Sequence, residues 1–279
     1  MPQTLLDGLT FPEGPRWHDG RLWFSDFYTH RVIALDEAGK AETIVHVPQQ
    51  PSGLGWLPDG TLLVVSMLDR KLMRFAGGVL SEYADLSGLA TGPCNDMVVD
   101  GKGRAYVGNF GFDRFKDEPE RTASLIRVDP DRSVSEATVE LLFPNGTVIT
   151  PDGKKLIIAE TIGQALTIFD ITEDGSLENR GVFAQMPEMF PDGICLDAEG
   201  AVWFANPRKG YVARVFEGGQ IERRIDLAEG RGAFACMLGG ADGRTLFICS
   251  CIGSGPDTAT KANGRIETIR VDVPRAGLP

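Results

Sequence analysis

Short runs of apolar residues, alternating with polar ones, recur along this chain, and each pair of runs is separated by a glycine-containing turn, in most cases Asp-Gly or Glu-Gly. Such alternation, with β-branched and aromatic residues and Asx-Gly turns, predicts antiparallel β-hairpins. The turn glycines are Gly20, Gly60, Gly103, Gly153, Gly200 and Gly243. Their spacings of 40, 43, 50, 47 and 43 residues lie in the range of propeller blades.

Six such units predict an all-β fold, a six-bladed β-propeller, which avoids exposed sheet edges by radial repetition. We expect the segment Thr4-Leu5-Leu6 to close the ring by joining the last blade beside residues 266–273. Residues 1–279 then form a single domain. A pair of β-sandwiches is the second choice, and a helical solenoid is disfavoured because no stretch has a 3.6-residue period.

The composition excludes several classes of protein. Of the 279 residues 42% are hydrophobic, so the chain is not disordered, yet no run approaches the roughly 20 apolar residues that span a bilayer. A net charge of -11, from 39 acidic and 28 basic residues, argues against binding nucleic acid or an anionic membrane. We therefore expect a small-molecule partner and a monomer or small homo-oligomer.

The five cysteines are scattered, without a CxxC pair, which predicts buried reduced thiols rather than a disulfide framework or a zinc site. The first residues lack the basic and apolar regions of a secretory signal. The expected location is the cytoplasm.

Equivalent positions of the repeat converge at the mouth of a propeller's central tunnel. Counting back eight residues from each turn glycine, or seven in the shorter first repeat, selects the residue that opens each innermost strand. These positions are Glu13, Ser52, Asn95, Asn145, Asp192 and Ala235. All but Ser52 and Ala235 carry a carboxylate or amide oxygen, the hard ligands that suit Ca²⁺, Mg²⁺ or Mn²⁺. A cation would also relieve the repulsion between two facing carboxylates. Turn chemistry alone is the other interpretation of Asn-Gly and Asp-Gly.

The second strand of each repeat should return to the same mouth six or seven residues after the turn glycine. It would bring a second ring of substrate contacts or supporting residues, of which Glu160 is a candidate general base. The predicted members are Asp26, Ser66, Asn109, Glu160, Asn206 and either Cys249 or Ser250. Polar strand ends that only meet solvent would produce the same pattern.

Two long loops, at residues 110–123 and 252–263, leave from the mouth side and are candidate lids that set substrate shape. In the first of them, Phe110, Phe112 and Phe115 could form an apolar wall of the substrate site or pack the loop onto the disk.

Four motifs follow one another along the chain: Phe11-Pro-Glu13-Gly-Pro-Arg-Trp17, Cys94-Asn95-Asp96, Pro144-Asn145-Gly146 and Pro191-Asp192-Gly193. Together they resemble the regucalcin/gluconolactonase/luciferin-regenerating-enzyme (senescence marker protein-like) family. The resemblance covers essentially the whole chain. It implies a six-bladed propeller with one divalent cation in the central tunnel, and hydrolysis of lactones or related esters.

The resemblance also implies roles for individual residues. Glu13, Asn145 and Asp192 match the family's metal ligands, and Asn95 matches an asparagine beside the metal that contacts substrate or a coordinated water. Asp192 further matches the proposed general base. The family's metal varies among calcium, zinc, magnesium, manganese and iron; the all-oxygen ligand set favours calcium or magnesium, and we take calcium first. Pro93 stands where sugar lactonases carry a substrate-contacting arginine, which puts an aldonolactone substrate in doubt.

These observations predict a metal-dependent lactonase-type hydrolase. The cation would polarise the carbonyl and activate water, Asp192 or Glu160 would take the proton, and Asn95 would hold the carbonyl or oxyanion. Asn109, Asn206, Phe110 and Phe112 are the expected substrate contacts. Two alternatives remain open: other metal-centred chemistry (retro-aldol, isomerase or phosphotriesterase-like), and a non-catalytic calcium- or peptide-binding propeller.

Overall fold

Six antiparallel β-sheets follow one another along the chain in a computed structural model that describes residues 1–114 and 116–279. The strands are numbered β1 to β25. Blade 1 comprises β2 (Pro12–His18), β3 (Arg21–Asp26), β4 (Arg31–Leu35) and β5 (Ala41–His46). Blade 2 comprises β6 (Pro51–Trp56), β7 (Leu62–Ser66), β8 (Lys71–Ala76) and β9 (Val79–Asp85). Blade 3 comprises β10 (Cys94–Val99), β11 (Ala105–Asn109), β12 (Ala123–Val128) and β13 (Val134–Leu141).

The remaining blades repeat this arrangement. Blade 4 comprises β14 (Pro144–Ile149), β15 (Lys155–Glu160), β16 (Ala165–Ile171) and β17 (Leu177–Gln185). Blade 5 comprises β18 (Ile194–Asp197), β19 (Val202–Asn206), β20 (Tyr211–Val215), β21 (Ile221–Asp226) and the short β25 (Arg275–Ala276). Blade 6 comprises β22 (Gly232–Gly239), β23 (Thr245–Cys251), β24 (Gly264–Arg270) and β1 (Gln3–Leu9). The predicted six-bladed β-propeller is confirmed.

The ring closes as the sequence predicted, because β1 becomes the outer strand of the last blade. It pairs antiparallel with β24, with Thr4 opposite Glu267 and Leu6 opposite Ile266. Backbone hydrogen bonds thus tie the first strand of the chain to the last blade.

Local chemistry explains the turn after each innermost strand. All six turn glycines have φ between 70° and 83°, the left-handed region that side chains with a Cβ disfavour. The aspartate beside the glycine often fixes the turn, as where Asp59 Oδ1 accepts the amide of Thr61 and Asp152 Oδ1 accepts the amide of Lys154. These turns place all six innermost strands in the same orientation.

The segment that contains β25 crosses the end of the tunnel opposite the mouth. Its residues Arg275 and Ala276 pair with the far end of β18, while Leu278 exchanges backbone hydrogen bonds with Ile149 at the far end of β14. The Arg275 guanidinium also donates to the carbonyl of Trp17 in blade 1. This segment therefore connects blades on both sides of the axis.

A buried ion pair joins the innermost strands of blades 1 and 3. The Arg16 guanidinium lies 2.5 Å from Asp96 Oδ1 and also donates to the carbonyls of Leu54 and Met97. Its side chain is only 3% exposed. Arg16 thus contacts three successive blades near the axis.

Helices are minor in the described part of the chain. It contains two short 3-10 helices, Phe27–Thr29 and Pro256–Thr260, and no helix that is long and apolar enough to cross a membrane. All five cysteines are buried as free thiols, as predicted.

Candidate functional site

The four oxygen-bearing positions of the first predicted ring share one cavity at the mouth of the tunnel. Glu13, Asn95, Asn145 and Asp192 all line a space of about 420 Å³. Asp192 is 8% exposed, the two asparagines are 6% exposed each, and Glu13 is partly exposed to the cavity. Four residues that are up to 179 positions apart in sequence, from Glu13 to Asp192, therefore meet at one place.

Glycines follow Ser52, Asn145 and Asp192 of the six predicted ring positions, and they allow the innermost strands to pack closely. A Cβ on Gly146 would lie 2.5 Å from the amide nitrogen of Ile194, and one on Gly193 would lie 2.3 Å from the Cβ of Ala235. After Ser52, a Cβ on Gly53 would lie 2.5 Å from the amide of Met97. Real Cβ atoms do not approach neighbours this closely, so the Asn-Gly, Asp-Gly and Ser-Gly pairs serve strand packing as well as the site.

A chain of hydrogen bonds fixes the ring side chains. Ser52 Oγ donates to Asn95 Oδ1 at 3.3 Å, and Asn95 Nδ2 donates to Asn145 Oδ1 at 3.1 Å. Asn145 Nδ2 then donates to Thr161 Oγ1, whose hydroxyl donates to the carbonyl of Pro191 at 2.7 Å. Because every amide has a partner, the two asparagines are held in one orientation beside the carboxylates.

The two ring carboxylates interact electrostatically. Burial raises the pKa of Asp192 to about 8, partly offset by the charge of Arg114. Burial and then the negative charge of Asp192 raise the pKa of Glu13 well above its usual range. Neither carboxylate has a cationic partner within ion-pair distance in the described part of the chain. The site thus holds two carboxyl groups whose ionised forms have no cationic side chain in direct contact within the described part of the chain.

This donor set suits a hard cation held partly by amides. Two carboxylates and two amide oxygens are typical ligands of Ca²⁺ or Mg²⁺. Among the residues that the structure describes, no three His, Cys, Asp or Glu side chains cluster in a way that could hold a metal. Any ion at the ring would therefore depend on asparagine oxygens and water as well as on Glu13 and Asp192.

The raised pKa values predict how the metal-free protein responds to pH. Between pH 3.8, the ordinary pKa of aspartate, and about 8, Asp192 keeps its proton when folded but loses it when unfolded. The free energy of unfolding therefore falls as pH rises through this window. We expect Tm measured in EDTA to fall more steeply with pH for the wild type than for Asp192→Asn. Equal slopes for the two proteins would contradict the assignment.

The second predicted ring is not at the cavity. The Glu160 carboxylate faces away from the tunnel, where Oε2 accepts the amide of Leu142 at 2.6 Å. Its Oε1 accepts the hydroxyl of Thr167 at 2.5 Å and the guanidinium of Arg180 at 3.2 Å. A carboxylate with both oxygens occupied outside the cavity is not placed to act as a base on a substrate there.

Strand pairing explains the error. Glu160 lies opposite Pro144, Asp26 lies opposite Pro12, and Asn109 lies opposite Cys94. Each of these partners precedes a ring residue by one position. Directly opposed residues share a face of the sheet, and successive residues alternate faces, so the second-ring side chains lie on the opposite face.

The predicted substrate contacts Asn109 and Asn206 are structural instead. Both are 0% exposed, and neither lines the cavity. Asn109 Nδ2 donates to the carbonyl of Ser124, and its Oδ1 accepts the amide of Gly111, so it anchors the start of the long loop. Asn206 Nδ2 donates to the hydroxyl of Tyr211.

Aromatic residues do form a wall of the cavity. Phe110 and Phe112, predicted from the sequence, both line it, and the Phe110 ring stacks on that of Phe143 with centroids 4.5 Å apart. Phe115, the third member of the predicted wall, lies outside the described residues. The phenylalanines that line the cavity are Phe11, Phe27, Phe110, Phe112, Phe143, Phe190 and Phe234.

Two cationic residues at the cavity were not predicted from the sequence. Arg114, in the first long loop, donates to Ser254 Oγ in the second loop at 3.3 Å, so the two predicted lids meet over the mouth. Arg208 follows β19 and places its guanidinium 3.8 Å from the ring centre of Phe190. Both arginines lie in loops, and the blade repeat does not determine where the side chains of a loop lie.

Comparison with known proteins agrees with this architecture. A family profile described as the SMP-30/Gluconolactonase/LRE-like region matches residues 11–252. A pentonolactonase of Haloferax volcanii is 27% identical to this chain, and the match covers 96% of this chain and 92% of the pentonolactonase. Regucalcin of Xenopus laevis is 30% identical, over 88% of this chain and 85% of its own. A solved gluconolactonase from Xanthomonas campestris is 25% identical, with a TM-score of 0.75 over 99% of this chain and 89% of that one.

Proposed function

Because this chain belongs to the SMP-30/gluconolactonase/LRE-like family, we propose that it is a metal-dependent hydrolase of lactones or closely related esters. Two of the similar proteins are named as lactonases, one acting on pentonolactones and one on gluconolactone. The observation that carries the proposal is the meeting of Glu13 and Asp192 in one cavity beside two amides. A tunnel built only to bind a peptide would not require two buried carboxylates that repel each other.

The residues at the ring fit a divalent cation. Glu13, Asp192 and the Oδ1 atom of Asn145 would hold it, with Asn95 beside it. When bound, a divalent cation supplies a Lewis acid for a carbonyl oxygen and lowers the pKa of a water molecule. Calcium is our first choice because the ligands are all oxygen, and zinc, magnesium, manganese and iron are the alternatives.

Asp192 is the proposed general base. With a cation at the ring, its carboxylate would be ionised at neutral pH and could accept the proton of the attacking water. The Asp192 side chain lines the cavity, whereas Glu160 does not. The proposal therefore assigns no catalytic role to Glu160.

Asn95 is the proposed oxyanion donor. Its amide is held by Ser52 and Asn145, so its orientation is set before substrate binds. Preorganised amide donors stabilise the negative charge that develops on the carbonyl oxygen during attack. No histidine lines the cavity among the described residues, so the geometry offers no serine–histidine pair to compete with this scheme.

A lactone panel with metal exchange tests the proposal. Lactone hydrolysis is measured by proton release, with aliphatic, aryl and sugar lactones as substrates. Protein stripped with a chelator should lose this activity and regain it when single divalent metals are restored. Structural binding of the ion without catalysis would instead raise Tm on metal addition while no lactone is hydrolysed. That result, or full activity in excess chelator, would contradict the proposed function.

A further inference from the structure

Aromatic side chains cover much of the cavity wall above the ring. Among the described residues seven phenylalanines line the cavity, and most of them belong to one buried cluster. On one side Phe11 packs edge-on against Phe234, with centroids 4.6 Å apart; on the other Phe110 stacks on Phe143. Aromatic walls of this kind recognise a flat or branched apolar body and offer few partners for hydroxyl groups.

The uncharged hydroxyl groups that line the described cavity above the ring are those of Thr161 and Ser254, and Ser254 Oγ already accepts from Arg114. Thr161 lines the cavity, but its hydroxyl donates to the carbonyl of Pro191 and accepts from Asn145. A site that recognises several hydroxyl groups needs matching polar partners, since unpaired hydroxyls lose binding free energy when buried.

The charged residues at the cavity above the ring are exposed at its rim, and their balance favours an anion. With Glu13 and Asp192 balanced by the divalent cation of the proposed function, the other charged residues that line the cavity are Arg114, Arg208 and Glu120. Two positive charges and one negative leave an excess of one positive charge, although the whole chain carries -11. No acidic residue in the described ranges lies within ion-pair distance of Arg208, and its guanidinium carbon lies 3.8 Å from the ring centre of Phe190.

We propose that the preferred substrate is a lactone whose ring carries an apolar, aryl-sized body ending in a carboxylate, with the phenylalanine walls holding the body and Arg208 and Arg114 binding the carboxylate. The proposal rests on the proposed lactonase function and specifies its substrate class. Arginine suits this role because its guanidinium can bind a carboxylate through two parallel hydrogen bonds. Arg114 also contacts Ser254, which lets one residue link the second loop to the bound anion.

Three lactones test the substrate class: γ-phenyl-γ-butyrolactone, its 4-carboxyphenyl analogue and D-ribono-γ-lactone. We expect kcat/KM to rank the carboxylated aryl lactone first and the sugar lactone last. The Arg208→Met variant should reduce the ratio of kcat/KM for the carboxylated over the plain aryl lactone by about 10- to 100-fold, mainly through KM. Arg114→Met should act in the same direction.

Two matched variants control for loss of surface charge. Lys209→Met removes the positive charge next to Arg208 in sequence, and Arg121→Met removes one from the same loop as Arg114; neither residue lines the cavity. Both should keep the wild-type ratio. A sugar lactone ranked first, or the same fall in ratio in Lys209→Met as in Arg208→Met, would overturn the proposal while leaving the lactonase function intact.

A binding measurement separates this proposal from catalysis. Calorimetry with 4-cyclopentylbenzoate and 4-cyclopentylbenzamide uses ligands that share the apolar body but differ in charge, and neither can be hydrolysed as a lactone. Wild-type protein should bind the benzoate more tightly by about 10-fold or more, and Arg208→Met should lose this preference. Equal affinities in the wild type would overturn the anion site. If no lactone is hydrolysed but the benzoate binds more tightly, the result contradicts the lactonase function and the lactone substrate class. It supports only a carboxylate-binding site at Arg208.

Discussion

Asp192→Asn should lower kcat/KM for lactone hydrolysis by about 10²- to 10⁴-fold, the usual contribution of a general base, and more if metal affinity falls as well. The substitution keeps the size of the side chain but removes its negative charge and its ability to accept a proton. Stopped or continuous assays of proton release, at saturating metal, measure the effect. Circular dichroism and Tm establish that the variant is folded.

Folding should not suffer in Asp192→Asn. Burial raises the pKa of Asp192 to about 8, and its charge raises the pKa of Glu13, so the native metal-free protein is destabilised by the ionised pair. Removing one of the two charges relieves that repulsion, and Tm in chelator at pH 8 should stay the same or rise.

Glu160→Gln is the matched control for Asp192→Asn. The carboxylate of Glu160 binds Leu142, Thr167 and Arg180 outside the cavity, so its loss should lower stability by about 1–3 kcal/mol while the folded protein keeps most of its turnover. If instead Glu160→Gln abolished turnover and Asp192→Asn kept it, the general base would be Glu160 and not Asp192.

Of the substitutions considered, Arg16→Met should lower the free energy of unfolding most. The substitution leaves the Asp96 carboxylate, 11% exposed, without its partner in the interior, and removing one member of a buried pair costs about 3–5 kcal/mol. It also frees the carbonyls of Leu54 and Met97 that Arg16 satisfies. Urea unfolding, with the free energy extrapolated to water, measures the change.

An exposed pair provides the comparison for Arg16. Arg21 lies 2.7 Å from Glu42 on the surface of blade 1, where both side chains are substantially exposed. Arg21→Met should therefore cost no more than about 1 kcal/mol. Equal losses for the two arginines would mean that the ion pair at the axis does not hold the three blades together.

The blades and the first ring were predictable because both follow from a repeat. A turn glycine fixes the phase of each hairpin, and counting back along the innermost strand reaches Glu13, Asn95, Asn145 and Asp192, which do share one cavity. The same count failed for the second strand because it ignored the pairing register. An offset of one residue puts Glu160 on the opposite face of the sheet.

The residues proposed to set substrate specificity could not be predicted from the repeat. Arg208 follows the end of β19, and Arg114 lies in a long loop, where no period relates sequence position to direction. Phe234 lines the cavity and lies one position before Ala235, which is a predicted ring position. The repeat therefore identified the neighbour of Phe234 but not Phe234 itself. Which loop side chains turn toward the axis depends on long-range packing such as the stacking of Phe110 on Phe143.

The strand formed by Arg275 and Ala276, with Leu278 paired to Ile149, binds the ends of β18 and β14 that lie away from the cavity. If substrate and product both use the opposite end, they pass the contact between Arg114 and Ser254. Substrate and product would then share one route. A ring-opened acid that dissociates slowly would delay binding of the next lactone molecule. The rate of product release would then limit turnover as much as the ring-opening step of the proposed reaction.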